Sequence, residues 1–269
     1  MSDKPPRVYK YESFNIQSIL NLKAQSLYFG SPRNFNDPYD CAITETVREP
    51  SDNEMELIRK IYSNNNALPD PIKEAFRSKP LNQLKEELVR GTSQGLVNVR
   101  EEFLNTKGVT CFSERNDDLV MWGHYGGQYK GSCLEFATSK APFTKLRQVL
   151  YVDVIPQINL IDCMLTKNYD KFIDDLYCTK SNAWQYEKEW RAIHSKAGTL
   201  FTYDPDVLKA IYFGPDIERR ALEVVCLIVQ GQNPSVQLFQ GKRSETDFKV
   251  EFNKFTYTSY AEAKRKRLI

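Results

Sequence analysis

Two glutamates stand two positions apart near Trp190 and are the residues best suited to do chemistry. In an extended chain, residues i and i+2 point to the same face, so Glu187, Glu189 and Arg191 are expected to share one face. Charged side chains beside a tryptophan at the start of a strand call for an explanation, because burying a charge in an apolar site costs free energy. One interpretation is a catalytic carboxylate oriented by its neighbours. The other is that Arg191 pairs with a glutamate and all three residues are solvated.

One of the two histidines of the chain lies among aromatic residues. His124 stands between Trp122 and Tyr125 and precedes a Gly-Gly pair. If functional, His124 would bond a ribose or phosphate oxygen while the aromatics stack on a ring. The alternative is a hydrogen-bonded histidine in the core. Cys111 stands upstream in an apolar strand with no identifiable partner that would lower its pKa, which argues against a nucleophilic thiol.

The segment 36–40 has the composition of a tight turn. Asn36 and Asp37 precede a proline, and such side chains bond nearby backbone amides. The turn is either purely structural or presents Asp37 and Asp40 into a cleft. Together with His124 and Glu189, these two acids would suit a metal-assisted nuclease or phosphoesterase. The spacing does not require a metal, and we expect none.

Alternating apolar residues and turn signals place these segments on a mixture of strands and helices. We predict strands over 8–11, 26–31, 109–113, 132–136, 148–155, 190–194, 210–214, 224–230 and 236–240. We predict helices from a cap at Ser13 or Asn15 through Lys23, over 119–125 and 169–185, from Asp216, and over 260–268. This order indicates an α+β fold. The charged segment 52–104 is predicted to be a helical insertion or lobe within a single domain, 1–269. Without a regular βαβ succession or a Gly-rich fingerprint, a Rossmann or P-loop enzyme is not expected.

The composition excludes several classes of protein. The chain of 269 residues carries 37 Lys and Arg against 35 Asp and Glu, a net charge of +2, so bulk charge does not hold it on nucleic acid. This balance of charge is still compatible with a local basic groove that binds nucleic acid. The six cysteines are scattered without a CxxC pair, which indicates reduced thiols. The apolar runs are short and the N-terminus is polar, so we predict a cytoplasmic protein without a membrane partner.

Four blocks of sequence resemble a bacterial family known as DUF2971. They are Tyr9-Lys10-Tyr11, Leu27-Tyr28-Phe29 with Asn36-Asp37-Pro38-Tyr39-Asp40, Cys111-Phe112-Ser113 with Met121-Trp122-Gly123-His124-Tyr125 and Gly131, and Tyr186-Glu187-Lys188-Glu189-Trp190-Arg191. The resemblance runs from about residue 8 to residue 230. The family name implies no activity.

The layout also resembles the ADP-ribosyltransferase fold, a mixed or antiparallel split sheet that binds NAD. This resemblance implies that Glu189 is the catalytic glutamate, that Glu187 helps to orient the acceptor, and that no metal takes part. The resemblance also implies which other residues contact each part of NAD. Lys10, Tyr9 or Tyr11 would take the ribose-binding position of the first strand, and Ser113 or Ser31 would supply the middle hydroxyl. Tyr28, Trp122 or Tyr125 would stack on nicotinamide, and Arg191 or Lys10 would bind the pyrophosphate. The other residues expected to contact NAD are His124, Asn36 and Asp37.

The same resemblance implies a macromolecular acceptor. Some transferases of this layout are toxins or phage-defence effectors that modify nucleic acid, so we expect RNA or DNA rather than protein, and a neutralising antitoxin protein as a further partner. The basic run Lys264-Arg265-Lys266-Arg267 suits such an acceptor. It would equally suit a solvated helix end that complements its own dipole. The alternatives to a transferase are the metal-assisted enzyme and a non-catalytic binding module.

Overall fold

The computed structural model describes residues 4–41, 47–155, 157, 159, 164–165, 174 and 176–267. The chain divides into two compact units. The first unit comprises Met1–Ser31, Lys107–Val149 and Ala183–Ile269, and the second comprises Pro32–Thr106 and Leu150–Asn182. The prediction of a single domain is not tested by this division and stays a prediction.

Strands and helices are both abundant, which confirms the α+β class. The strands are β1 (Arg7–Glu12), β2 (Ser26–Phe29), β3 (Gly108–Ser113), β4 (Ser132–Ala137), β5 (Arg147–Gln148), β6 (Leu150–Val152), β7 (Thr179–Ser181), β8 (Glu189–His194), β9 (Thr199–Thr202), β10 (Leu208–Phe213), β11 (Gln237–Arg243) and β12 (Val250–Phe255). The helices are α1 (Ile16–Lys23), α2 (Asp52–Tyr62), α3 (Asp70–Ser78), α4 (Leu81–Thr106), α5 (Leu119–His124), α6 (Arg219–Gln232) and α7 (Tyr260–Arg265).

The first unit is built on an eight-stranded mixed sheet. Its strand order is β12-β11-β10-β4-β1-β3-β8-β5. The β10–β11 pair is parallel, and the other neighbouring pairs are antiparallel. Strands β2 and β9 form a separate antiparallel pair in the same unit. The predicted mixed sheet is therefore confirmed.

The two faces of the large sheet differ in chemistry. On one face, alternate residues such as Val8, Phe112, Trp190 and Ile211 are buried in the main hydrophobic core with side chains of α6. Because successive residues of a strand point to opposite faces, the residues between them form a second face. We call that second face the site face. It carries polar and aromatic side chains, among them Tyr9, Ser113 and Glu189.

Helix α1 begins where the sequence predicts. Asn15 caps it, since its side chain accepts a hydrogen bond from the Ser18 N–H, and the Ser18 hydroxyl accepts one from the Asn15 N–H. This reciprocal pair is a capping box, which satisfies amide groups that a helix start otherwise leaves without partners. Of the two predicted caps, the structure therefore selects Asn15 rather than Ser13.

The predicted strand over 224–230 is wrong, because this segment lies inside helix α6. Ala221, Val225 and Val229 are buried at a spacing of four, whereas Val224 and Leu227 are exposed. The uninterrupted apolar run conceals this helical spacing, and a short apolar run alone does not distinguish a strand from a buried helix.

The predicted strand over 148–155 is divided between two sheets. β5 pairs with β8 in the first unit, whereas β6 pairs with β7 in the second. The predicted helix over 169–185 lies partly outside the described residues. Within them, Thr179–Ser181 is β7, so that part of the prediction is wrong.

The second unit contains the predicted helical segment. Helices α2, α3 and α4 lie within 52–106, and Met55, Ile58, Phe76 and Leu84 form their common core. The unit is larger than the predicted insertion, since it also includes residues 32–51 and 150–182. In the described part of the chain, no helix combines the length and apolar composition needed to cross a membrane.

Gly214 follows β10 at a point where two backbone segments nearly touch. A Cβ at Gly214 would lie 2.0 Å from the Tyr129 carbonyl oxygen. Because this oxygen belongs to the backbone, relieving the clash requires the chain itself to move, which costs free energy. We expect Gly214→Ala to lower the free energy of unfolding by about 3 kcal/mol. Gly91→Ala is the matched control, since nothing lies within 4 Å of a Cβ there and α4 gains about 0.5–1 kcal/mol from the substitution. Urea unfolding measures both, and equal effects would contradict the expectation.

Candidate functional site

Three strands bring a tyrosine, a serine and a glutamate into one row on the site face. Tyr9 of β1 lies opposite Ser113 of β3, and Ser113 lies opposite Glu189 of β8. Residues directly opposite each other on neighbouring strands share a face and have close Cβ atoms. The order tyrosine, serine, glutamate across β1, β3 and β8 is therefore set by the strand register.

Glu189 is held by the guanidinium of Arg191. Arg191 Nε donates to Glu189 Oε1 at 2.7 Å, and Nη2 donates to Oε2 at 2.9 Å. Arg191 is 0% exposed and Glu189 is 4% exposed. The predicted shared face is confirmed for Glu189 and Arg191, whereas Glu187 precedes β8 and is not part of that extended segment. The predicted pairing of Arg191 with a glutamate is also confirmed, but the prediction that these residues are solvated is wrong. A bidentate pair of this kind fixes the plane of the carboxylate and keeps its negative charge compensated.

Glu187 lies at the end of a 3-10 helix, Asn182–Glu187, and is also buried. Its Oε1 accepts a hydrogen bond from the Tyr125 hydroxyl at 2.6 Å, and its backbone oxygen accepts one from Ser113 Oγ at 2.6 Å. Lys188 between the two glutamates has a φ of 45°, in the left-handed region that costs energy for a side chain of this size. Ser113 therefore fixes the turn that brings both glutamates to the start of β8.

A group of aromatic rings lies beside Glu187. His124 Nδ1 is 3.2 Å from the Tyr186 hydroxyl, and the ring centroids of Trp184 and Tyr186 are 6.1 Å apart. His124 is exposed at the end of α5, so the interpretation of a core histidine is wrong. These rings offer flat surfaces next to a carboxylate, an arrangement suited to binding a planar group.

Trp122 packs on the site face and is completely buried there. It is 0% exposed, its indole N–H donates to the Asn116 carbonyl oxygen at 2.7 Å, and its ring meets that of Tyr11 edge-on at 5.2 Å. The Tyr11 hydroxyl donates to the Arg115 carbonyl oxygen, and burial raises the pKa of the Tyr11 phenol. Both rings therefore belong to one buried hydrophobic cluster on the site face.

Lys10 points to the opposite face of the sheet. Its Nζ lies 5.8 Å from the centroid of the Phe112 ring and 3.7 Å from a Glu12 carboxylate oxygen. Of the three residues predicted as alternatives on the first strand, Tyr9 and Tyr11 share the face with Glu189, and Lys10 does not.

Tyr28 and Ser31 lie near the other end of β3. Tyr28 is 45% exposed on β2, opposite Leu200 of β9. Gly30 forms a bridge with Val109, and Ser31 follows it. Val109 stands four residues before Ser113, which is about 13 Å along a strand. Ser113, not Ser31, is therefore the serine in the row, and nicotinamide stacking by Tyr28 stays a prediction.

Asn36, Asp37 and Asp40 belong to the second unit. Asp37 Oδ1 accepts a hydrogen bond from the Tyr39 N–H at 2.9 Å, which confirms the predicted turn. Asp37 and Asp40 are buried, and Asp40 Oδ2 lies 3.4 Å from Lys180 Nζ. NAD binding by Asn36 and Asp37 stays a prediction. Over the described ranges, no three His, Cys, Asp or Glu side chains are grouped so as to hold a metal ion.

A second buried glutamate on the site face was not predicted from the sequence. Glu135 of β4 lies opposite Tyr9 and is 1% exposed. Its carboxylate bonds the Arg7 guanidinium and accepts from the Tyr212 hydroxyl at 2.5 Å. Burial raises the pKa of the Tyr9 and Tyr212 phenols, and Glu135 raises both further. The only sequence signal was one acidic residue in an otherwise apolar strand.

Tyr125→Phe tests the bond that holds Glu187. The variant keeps the ring and removes the hydroxyl that donates to the buried carboxylate, so we expect the free energy of unfolding to fall by about 1–3 kcal/mol. Tyr260→Phe, which alters a residue that is 72% exposed, is expected to change it by less than about 0.5 kcal/mol. Urea denaturation compares them, and a Tyr125 effect as small as that of Tyr260 would contradict a strong bond to Glu187.

Comparison with known proteins gives one match. Residues 121–192 match the family model described as a protein of unknown function, DUF2971. No curated protein and no solved structure matches the chain. The matched range contains most of α5, all of β4, both glutamates and Arg191. The blocks at 9–11, 27–40 and 111–113 lie outside it.

Proposed function

The chain is placed in the DUF2971 family by residues 121–192, and from that premise and the geometry of the site face we propose that it is an ADP-ribosyltransferase that consumes NAD. The family description names no activity, so the proposal rests on the site. The observation that supports it most is the row Tyr9, Ser113, Glu189 across three strands, with Arg191 holding the glutamate. The pairing of β1 with β3 at Tyr9 and Ser113 also fits a split sheet of the ADP-ribosyltransferase type.

The chemistry of NAD cleavage gives Glu189 its role. Breaking the bond between nicotinamide and ribose develops an oxocarbenium-like sugar, as in glycoside cleavage. A carboxylate near the 2′-hydroxyl bonds that hydroxyl more strongly as positive charge builds on the ring, which stabilises the transition state selectively. Because Arg191 fixes both oxygens of Glu189, the carboxylate is already oriented before substrate binds.

The acceptor then attacks the anomeric carbon as the bond to nicotinamide breaks, forms the new glycosidic bond and releases its proton to solvent. Glu187 lies beside Glu189 in the chain and is held by Tyr125, so it is placed to orient the attacking group. Tyr186 and His124 present rings next to it, which suits a planar acceptor such as a nucleobase. The reaction needs no metal, because the nicotinamide ring is positively charged in NAD and leaves as a neutral molecule.

The acceptor class that these features favour is nucleic acid, RNA in particular. At the end of α7 four consecutive basic residues are exposed, and such a cluster can contact phosphates: Lys264, Arg265, Lys266 and Arg267. We extend the proposal to a toxin-like or phage-defence role, in which unregulated transfer would harm the cell and a neutralising antitoxin protein would bind the enzyme.

The test is release of nicotinamide from NAD by the purified full chain. NAD labelled in the adenine ring is incubated with the protein and, separately, with total RNA, DNA or protein extract as acceptor. We expect nicotinamide release and transfer of label to the RNA or DNA fraction, with the label released by nuclease and not by protease. No release in any fraction, together with no melting shift on addition of NAD, would overturn the proposal.

A further inference from the structure

A buried carboxylate on the site face holds an arginine whose outer side faces solvent. Glu135 is 1% exposed, and its two oxygens bond the Arg7 guanidinium and the Tyr212 hydroxyl. The Arg7 side chain is 59% exposed. A buried charge is unfavourable unless it is paired, so Glu135 fixes Arg7 in place. The part of the guanidinium that does not contact Glu135 is left facing outward.

Tyr9 adds a second donor to the same face. It stands two residues after Arg7 on β1, which puts the two side chains on one face about 7 Å apart along the strand. Apart from the Arg7 bond to Glu135, neither the Tyr9 hydroxyl nor the guanidinium donates to any group in the described residues. Burial and then the charge of Glu135 raise the pKa of Tyr9, so its hydroxyl keeps its proton.

We propose that Arg7 and Tyr9, with Glu135 behind them, form a phosphate-binding subsite. A guanidinium presents parallel N–H groups that match the oxygens of a phosphate, and a phenol O–H supplies one more donor. Within the described part of the chain, Glu135 is the one acceptor paired with these donors, so the remaining N–H groups and the phenol O–H can donate to an oxyanion. Glu135 is a positioning residue, since it holds Arg7 and does not face the ligand.

The subsite lies on the same face as Glu189. Tyr9 is two strand spacings from Glu189 across β3, which is about 10 Å. The identity of the ligand rests on the proposed function, which supplies two sources of phosphate. One is the diphosphate of the dinucleotide, and the other is the backbone of a nucleic-acid acceptor.

Binding measured by calorimetry on the full chain separates these sources. ADP represents the diphosphate, and a short single-stranded oligonucleotide represents the acceptor. We expect Arg7→Lys, which keeps a cation beside Glu135 but loses the planar donors, to weaken binding of one probe about tenfold. We expect Tyr9→Phe to weaken the same probe by a similar factor. The probe that loses affinity identifies the phosphate that the subsite binds.

Arg243→Lys is the matched control. Arg243 is also 59% exposed and pairs with a carboxylate, that of Asp216, so we expect the variant to bind both probes as the wild type does. The proposal is overturned if the wild type binds neither probe, or if Arg7→Lys and Tyr9→Phe bind both probes with unchanged affinity.

Nicotinamide release by the same preparations distinguishes this inference from the proposed function. Weaker ADP binding by Arg7→Lys, in a protein that releases no nicotinamide, would support the subsite and overturn the transferase. Nicotinamide release by the wild type with unchanged binding in both variants would overturn the subsite and leave the transferase standing.

Discussion

Glu189→Gln is expected to lower the rate of nicotinamide release from NAD by about 10²–10³-fold. The amide keeps the size of the side chain and an oxygen for Arg191, but it removes the negative charge that stabilises the developing ribose cation. Because that charge acts mainly in the transition state, kcat is expected to fall much more than KM changes. Chromatographic measurement of nicotinamide at saturating NAD gives the comparison.

Two further glutamine variants show whether the effect belongs to Glu189. Glu223→Gln makes the same chemical change on α6, where the carboxylate pairs with the exposed Arg219, and is expected to leave the rate unchanged. Glu187→Gln is expected to reduce transfer to the acceptor more than it reduces release of nicotinamide. Full release by Glu189→Gln, with loss in Glu187→Gln, would reverse the roles assigned to the two residues.

The strands that carry the site could be predicted from the sequence, whereas their register could not. β1, β3, β4 and β8 each lie where the sequence predicts a strand, although β3, β4 and β8 are buried on both faces. The period of two along a strand says which residues share a face within it. It does not say which strands are neighbours, and the row from Tyr9 to Glu189 depends on that order.

Because strand order could not be predicted, the pair of Arg191 and Glu189 was expected from the sequence, whereas the pair of Arg7 and Glu135 was not. Arg191 and Glu189 are two residues apart, so local geometry alone brings their side chains to one face. Glu135 bonds Arg7 at a separation of 128 residues and Tyr212 at a separation of 77. Such contacts arise from sheet topology, and a single acidic residue in an apolar strand gives no indication of its partners.

Polar edge strands were also hard to recognise. β12 lies at one edge of the large sheet, and residues such as Asn253 and Lys254 are exposed there. Edge strands commonly carry charged side chains that discourage pairing with another chain, which weakens the alternation on which prediction depends. The strands that carry the site, β1, β3 and β8, lie inside the sheet and are recognised by their apolar and β-branched residues.

Arg191→Met is expected to lower the free energy of unfolding by about 3–5 kcal/mol. Arg191 is 0% exposed, and methionine fills part of its volume but leaves the buried Glu189 carboxylate without the guanidinium. Arg243→Met is the control, since it breaks a surface pair with Asp216 and is expected to cost less than about 1 kcal/mol. Urea unfolding at neutral pH compares the two.

The double variant Glu189→Gln with Arg191→Met tests the reason for that loss. If the loss arises because a buried charge is left without its partner, then neutralising Glu189 removes part of the penalty, and the double variant is more stable than Arg191→Met alone. A double variant less stable than either single variant would mean that Arg191 stabilises the sheet by packing alone. In that case the arginine would not be what keeps a charged glutamate at the start of β8.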